Sequence, residues 1–279
     1  MPNIETEPAM LPLVISAAEL QSHLNADNLL ILDLSSADTF AAGHVPGAVH
    51  MDAKRLLRGE GPVPNLIPTP EQLSQLFSEL GLTADTQVVA YDDQKGPWAG
   101  RLAWTLHCIG HRSVSVLDGQ LAAWQAAGLP LEQQARQATP SNFTARMQIP
   151  LRLDAQKVLA GINEGKLQVW DARTAAEYSG EKVVNAQHGG HIPGARHLEW
   201  TDLLQDGDIP LLKSQDEILQ LLNARGLNPD QAMVTHCQTH RRSGLTWLAG
   251  TWAGCKNLTC YDGSWFEWGN RPDLPVEAD

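Results

Sequence analysis

Two copies of one motif, Gly43-His44-Val45-Pro46-Gly47-Ala48 and Gly190-His191-Ile192-Pro193-Gly194-Ala195, stand at the centre of an ordered internal repeat. Each follows a short apolar run ending near an aspartate, LLILDL at 29–34 and LQVWDA at 167–172. Further on, Val116-Leu117-Asp118-Gly119 with Trp124 matches Cys260-Tyr261-Asp262-Gly263 with Trp268, the paired aspartates and tryptophans both lying 144 residues apart. Matches in a fixed order mark a duplicated unit, and they divide 279 residues into two folding units of ordinary domain size. The helices repeat as well. Thr69-Pro70-Glu71-Gln72 supplies an N-cap, a first-turn proline and a capping-box glutamine, with Gly81 as the stop; Ser214-Gln215-Asp216-Glu217 and Gly226 play the same parts. Apolar strands, QVVAYD at 87–92 and AMVTH at 232–236, come next, each followed by a further helix. Strands alternating with helices predict an α/β fold: two tandem domains, each a small, mostly parallel sheet flanked by helices. The polar, proline-bounded stretch from Gln133 to Pro150 is the expected linker, giving domains at 1–140 and 141–279.

Composition narrows the setting. With 43% hydrophobic and 19% charged residues the chain reads as globular. No apolar run approaches the roughly 18 residues of a membrane span. The N-terminal MPNIETEPAMLPLVIS has acids and prolines where a secretory signal would carry basic and then apolar residues, so a cytoplasmic location is expected. A net charge of −12 argues against nucleic acid and anionic membrane as partners; a monomer acting on small molecules is expected. The four cysteines, Cys108, Cys237, Cys255 and Cys260, show no CxxC spacing, and free thiols are expected.

One thiol stands apart. His236-Cys237-Gln238-Thr239-His240-Arg241-Arg242-Ser243 places Cys237 among potential cations, after a buried strand and before a helix. Such a loop aims backbone N–H groups into a concavity, and cations lower a thiol pKa from its ordinary value of about 8.5. Cys237 is therefore a candidate nucleophile in an anion pocket. Counting back 144 residues puts Asp93 in the corresponding place, in a loop without a cation cluster, so only the second half is expected to be catalytic. Two chemistries use such a cysteine cradle. Phosphatases and arsenate reductase-like enzymes place arginine six positions after the cysteine, where this chain has Ser243; Arg242 comes one residue earlier, making a tighter ring suited to a single sulfur.

The doubled domain, the GHVPGA and GHIPGA motifs, the HCQTHRRSG loop and the terminal YDGSWFEWG together resemble the rhodanese family of sulfurtransferases over nearly the whole chain, and the CQTHRRS loop is similar to that of its two-domain bacterial thiosulfate:cyanide members. The resemblance implies an inactive first domain, an active site at the domain interface, and a Cys237 persulfide that takes sulfur from thiosulfate and gives it to cyanide or another thiophile, with no metal or organic cofactor. The N–H groups of residues 238–243 would hold the persulfide, with Gln238, Thr239 and Ser243 adding polar groups. Arg242 would lock the loop through a carboxylate that the sequence does not identify. His240 and Arg241 would face the entrance and attract the donor. Arg173 and Trp200 are further candidate substrate contacts, and Asp171 is a structural support. Glu177 stands where members specialised for mercaptopyruvate often carry arginine, which favours thiosulfate. His236 reads as a strand-end residue and His191 as a turn residue, so no metal site is expected. The alternatives are a 3-mercaptopyruvate sulfurtransferase, a persulfide carrier serving a partner protein and, against the loop count, a cysteine phosphatase or arsenate reductase.

Overall fold

The computed structural model describes residues 11–148 and 150–278; the first ten residues of the segment read for targeting signals lie outside them. The first domain is a five-stranded sheet, β1 (Val14–Ile15), β2 (Leu29–Asp33), β3 (Val49–His50), β4 (Gln87–Tyr91) and β5 (Val114–Leu117), in the order β1-β5-β4-β2-β3. The second has four strands, β6 (Gln168–Asp171), β7 (Arg196–His197), β8 (Ala232–His236) and β9 (Asn257–Cys260), in the order β7-β6-β8-β9. Every pairing within both sheets is parallel. Central strand β4 is buried along its whole length, which is why QVVAY shows no polar alternation.

Among the described residues five α-helices serve each domain: α1 (Ala17–His23), α2 (Ala37–Ala42), α3 (Pro70–Glu79), α4 (Pro97–Cys108) and α5 (Gln120–Ala126), then α6 (Ala155–Asn163), α7 (Ala175–Ser179), α8 (Gln215–Ala224), α9 (Arg242–Ala253) and α10 (Ser264–Trp268). The capping boxes read at Thr69/Gln72 and Ser214/Glu217 both form. The repeated motif acquires a physical reason. His44 Nδ1 bonds the Phe40 carbonyl while its ring stacks on Phe40 at 3.8 Å, and His191 does the same with Tyr178 at 3.9 Å.

The domains meet along α4 and α9, which cross at glycines. A methyl group on Gly100 would lie 2.6 Å from the Gly244 carbonyl oxygen, and one on Gly244 would lie 2.6 Å from the Arg101 nitrogen. The repeated aspartates clasp across this interface: Asp118 Oδ1 accepts from Leu212 N at 2.9 Å, and Asp262 Oδ2 accepts from Ile67 N at 2.7 Å. One hydrophobic cluster, containing Leu102 and Trp104 with Trp170 and Leu248, runs through both domains. The linker has no helix or strand among its described residues, yet it is strapped to α3. Ser78 Oγ donates to the Phe143 carbonyl and accepts from its N–H, and Ala145 N donates to Ser74 Oγ.

Candidate active site

Strand β8 delivers Cys237 to the carboxyl end of its sheet, and α9 starts five residues later. The thiol is 1% exposed. Its carbonyl accepts from Trp265 N at 3.0 Å and the next carbonyl from Phe266 N at 2.9 Å, which ties the loop to α10. Burial works to raise the thiol pKa, but the Arg242 guanidinium, the Ser243 hydroxyl and the amides of Ser243 and Thr239 outweigh it, and Cys237 titrates below its ordinary value. The other three thiols go the opposite way: burial pushes Cys255 up to about 11, and raises Cys108 and Cys260 as well.

The carboxylate for Arg242 is Glu177. Arg242 donates from Nη1 to Oε2 at 2.7 Å and from Nη2 to Oε1 at 2.8 Å, a planar two-point pair. Glu177 is itself fixed, because it closes a capping box with Thr174 at the start of α7. The signal Thr174-x-x-Glu177 was present in the sequence as a capping pattern; what could not be read is that its carboxylate reaches across to α9.

Gln238 turns its amide to the Val184 carbonyl. Thr239 is half-buried, with its N–H on the sulfur side. Arg241 is exposed; it reaches Gln94 at 3.4 Å and lies 5.6 Å from the Trp98 ring. A cavity of about 310 Å³ opens between the domains, lined by Arg241, Arg242 and Trp200 on one side and Asp93, Gln94, Lys95 and Pro97 on the other. This brings Trp200 and Arg241 together beside the loop.

Two expectations are corrected. His240 does not face the entrance: it is fully buried, bonds Ser243 Oγ through Nδ1 at 2.7 Å, and meets Trp104 edge-on at 4.3 Å. Burial, with Arg101 nearby, holds it neutral well below the ordinary histidine value, so it offers no charge to an incoming anion. Arg173 is not at the substrate either. It is 1% exposed, bonds both Asp171 oxygens at 2.6–3.0 Å and the Gly190 carbonyl at 2.7 Å, and lies over Trp265 at 4.3 Å. Asp171 anchors this buried cluster; its Oδ2 stands 3.5 Å from His236 Nε2. His236 is fully buried, its pKa lowered by that burial, with Nδ1 on the Cys237 carbonyl at 3.1 Å.

The first domain holds the same loop with another occupant. Strand register pairs Asp33 with Tyr91 and Asp171 with His236, so the counterpart of Cys237 is Asp92, and the expected correspondence with Asp93 is corrected by one residue. In strand register the path from β8 to β9 is one residue shorter than that from β4 to β5, Met233 pairing with Leu258 where Val88 pairs with Val114, so an offset counted at the Asp-Gly motif slips at the loop. Other details agree with the new register. Cys237 N donates to Ser264 Oγ at 3.4 Å, and Asp92 N to Gln120 Oε1 at 2.9 Å; His240 and Lys95 both have positive φ, 55° and 72°. Asp92 fills its own cradle: Oδ1 accepts from Gln94 N and Gly96 N at 2.8 Å, and Oδ2 from Trp98 N at 2.9 Å and Ala99 N at 3.2 Å. Asp93 instead bonds Ser36 N and Thr39 Oγ1 at 3.0 and 2.8 Å.

Residues 16–127 and 154–271 each match the model of the rhodanese-like domain. The chain is 43% identical to the thiosulfate sulfurtransferase of Azotobacter vinelandii over 269 residues, covering 96% of this chain and 98% of that protein. It is 35% identical to the 3-mercaptopyruvate sulfurtransferase of Escherichia coli K12 over 248 residues, 88% and 87% of the two chains. The crystal structure of the 3-mercaptopyruvate sulfotransferase SseA from Escherichia coli superposes with a TM-score of 0.81 at 30% identity, covering 91% of this chain and 99% of the other. With both domains matched and the duplication extending to the loops themselves, the chain belongs to the rhodanese-like family in its two-domain form.

Proposed function

We propose that the protein is a thiosulfate sulfurtransferase that moves sulfane sulfur to cyanide or another thiophilic acceptor through a persulfide on Cys237. The observation that carries this reading is a buried thiol held below its ordinary pKa by Arg242 and by loop amides, in a ring one residue too short for a phosphoryl group. The Cys237 thiolate attacks the outer sulfur of thiosulfate; an S–S bond to Cys237 forms, the sulfur–sulfur bond of the donor breaks, and sulfite leaves with the electron pair. The new terminal sulfur is an anion, and the amides of Thr239 and Ser243 are set to receive it. Cyanide carbon then attacks that sulfur, thiocyanate leaves, and the thiolate returns. The cycle balances without a metal, redox cofactor or external base.

Arg241, Lys95 and Trp200 line the route by which the donor approaches. Glu177 satisfies both ends of the Arg242 guanidinium, which leaves that cation unavailable to a mercaptopyruvate carboxylate and favours thiosulfate. The reading includes a monomer working in the cytoplasm on small anions; among the described residues no helix is long and apolar enough to cross a membrane.

Rapid mixing with thiosulfate alone should release sulfite in a burst stoichiometric with enzyme, and cyanide added afterwards should release thiocyanate. Cys237→Ala should give neither. Faster turnover with 3-mercaptopyruvate would replace the donor, and discharge to a protein thiol but not to cyanide would make the protein a carrier.

A further inference from the structure

We infer that Arg101, on α4 of the first domain, is a positioning residue for the sulfur-binding loop of the second. The proposal rests on the sulfurtransferase reading and concerns how the loop acquires its shape. Arg101 is fully buried, and among the described residues no carboxylate lies within ion-pairing distance of it. A buried cation without a contacting anion is expensive to keep, even with the Asp262 carboxylate nearby. All five of its N–H groups are nevertheless spent on main-chain oxygens. Nε and Nη2 donate to the Leu56 carbonyl at 3.1 and 3.0 Å, Nη2 also to Asn65 O at 2.7 Å, and Nη1 to Thr239 O at 3.3 Å and His240 O at 3.0 Å.

Two of those carbonyls belong to the loop that carries Cys237. In a trans peptide the carbonyl and the following N–H point in opposite directions. Drawing the Thr239 and His240 oxygens toward Arg101 therefore turns the N–H groups of His240 and Arg241 to the other side. The first domain shows what that orientation accomplishes: Gly96, the counterpart of Arg241, aims its N–H at the Asp92 carboxylate. Arg101 thus holds the peptide His240–Arg241 in the orientation an anion-binding cradle requires. It also places a positive charge behind that cradle. Burial lowers the Arg101 pKa only to about 10, so the charge persists at neutral pH; the Asp262 carboxylate and, after it, Cys237 sustain it.

The arrangement runs one way. The residue of α9 that matches Arg101 is Thr246, whose hydroxyl bonds Thr235 within its own domain and the Ser243 carbonyl one turn back. The domain without a nucleophile braces the loop of the domain that has one. Gly100 permits the approach, since any side chain there would collide with Gly244, and Trp104, one turn along α4, supports His240 from the same side.

The test compares wild type with Arg101→Met and Arg101→Lys, following the rate of Cys237 alkylation by iodoacetamide against pH, together with kcat and KM for thiosulfate and the thermal midpoint. Arg101→Met should shift the alkylation midpoint up by about one pH unit, as loss of a nearby opposite charge does. It should lower kcat on the order of 10- to 100-fold, more than it changes KM, as misplacement of a reacting group does. Arg101→Lys, which keeps charge but not the fork of donors, should recover the alkylation midpoint more fully than kcat, and it decides the matter if Arg101→Met does not fold. An unchanged alkylation profile and kcat within about twofold of wild type, with only the thermal midpoint lowered, would overturn the proposal and leave Arg101 a structural residue. The outcome is separable from the sulfurtransferase reading, because alkylation reports the thiol whether or not thiosulfate is the donor.

Discussion

The loops at 92–96 and 237–241 are one backbone device with two different anions. In the first, the Asp92 carboxylate is attached permanently and takes four amide hydrogen bonds. In the second, the matching position is a thiol, and on the proposed function the further anion arrives with the substrate. The difference shows that the cradle and its occupant are separable: a strand-to-helix loop that gathers N–H groups needs a negative occupant, and on the proposed function the choice of occupant decides which domain reacts. A carboxylate fills the loop and closes it. On the proposed function, a thiolate shares the same amides with the sulfur it receives.

The comparison can be broken most forcefully at Asp92. Asp92→Ala would leave four N–H groups of the first loop without their acceptor, and a loss of about 3 kcal/mol or more in urea unfolding is expected; stability near wild type would mean that the carboxylate is not what holds the loop. Arg242→Ala removes the cation nearest the thiolate and leaves Glu177 unpaired. Thiosulfate kcat/KM should fall on the order of 10- to 100-fold, and the alkylation midpoint of Cys237 should rise toward the ordinary value of about 8.5. Gly100→Ala tests the shared helix crossing, where the added methyl meets backbone at 2.6 Å; calorimetry should show a loss of about 1–3 kcal/mol, the usual cost of overpacking.

The smallest effect is expected from Glu177→Gln, which keeps a hydrogen-bond acceptor while removing the charge; about 1–2 kcal/mol should be lost at neutral pH. Burial alone would raise the Glu177 pKa, but Arg242 and Thr174 hold it well below the usual carboxylate range. A carboxyl depressed in the folded state contributes stability above its unfolded pKa of about 4.3 and loses it as pH falls toward the folded value. The gap between wild type and Glu177→Gln should therefore be full at neutral pH and shrink on acidification in urea titrations; a gap that does not depend on pH would deny Arg242 its role as partner.

The duplication, both capping boxes, the parallel sheets and the Cys237 loop were legible because each is written locally, in turn residues, caps and runs of buried apolar residues. What stayed hidden depends on contacts between residues far apart in the chain, within the second domain as well as across the interface. Glu177 and Arg242 are 65 residues apart in the chain, and Arg101 and His240 are 139. The one-residue slip that disguised Asp92 came from a connection whose shortening leaves no mark of its own. His240 read as an entrance cation and Arg173 as a substrate contact because sequence charge carries no record of burial. Each is spent inside the protein, one neutral against Trp104 and the other paired with Asp171.

The contrast between Asp92 and Cys237 is tested most directly by peptide-mapped mass spectrometry after exposure to thiosulfate. One added sulfur is expected on the peptide containing Cys237, none on those containing Cys108, Cys255 or Cys260, and none anywhere in Cys237→Ala. Absence of that sulfur, or its appearance on another cysteine, would contradict the account.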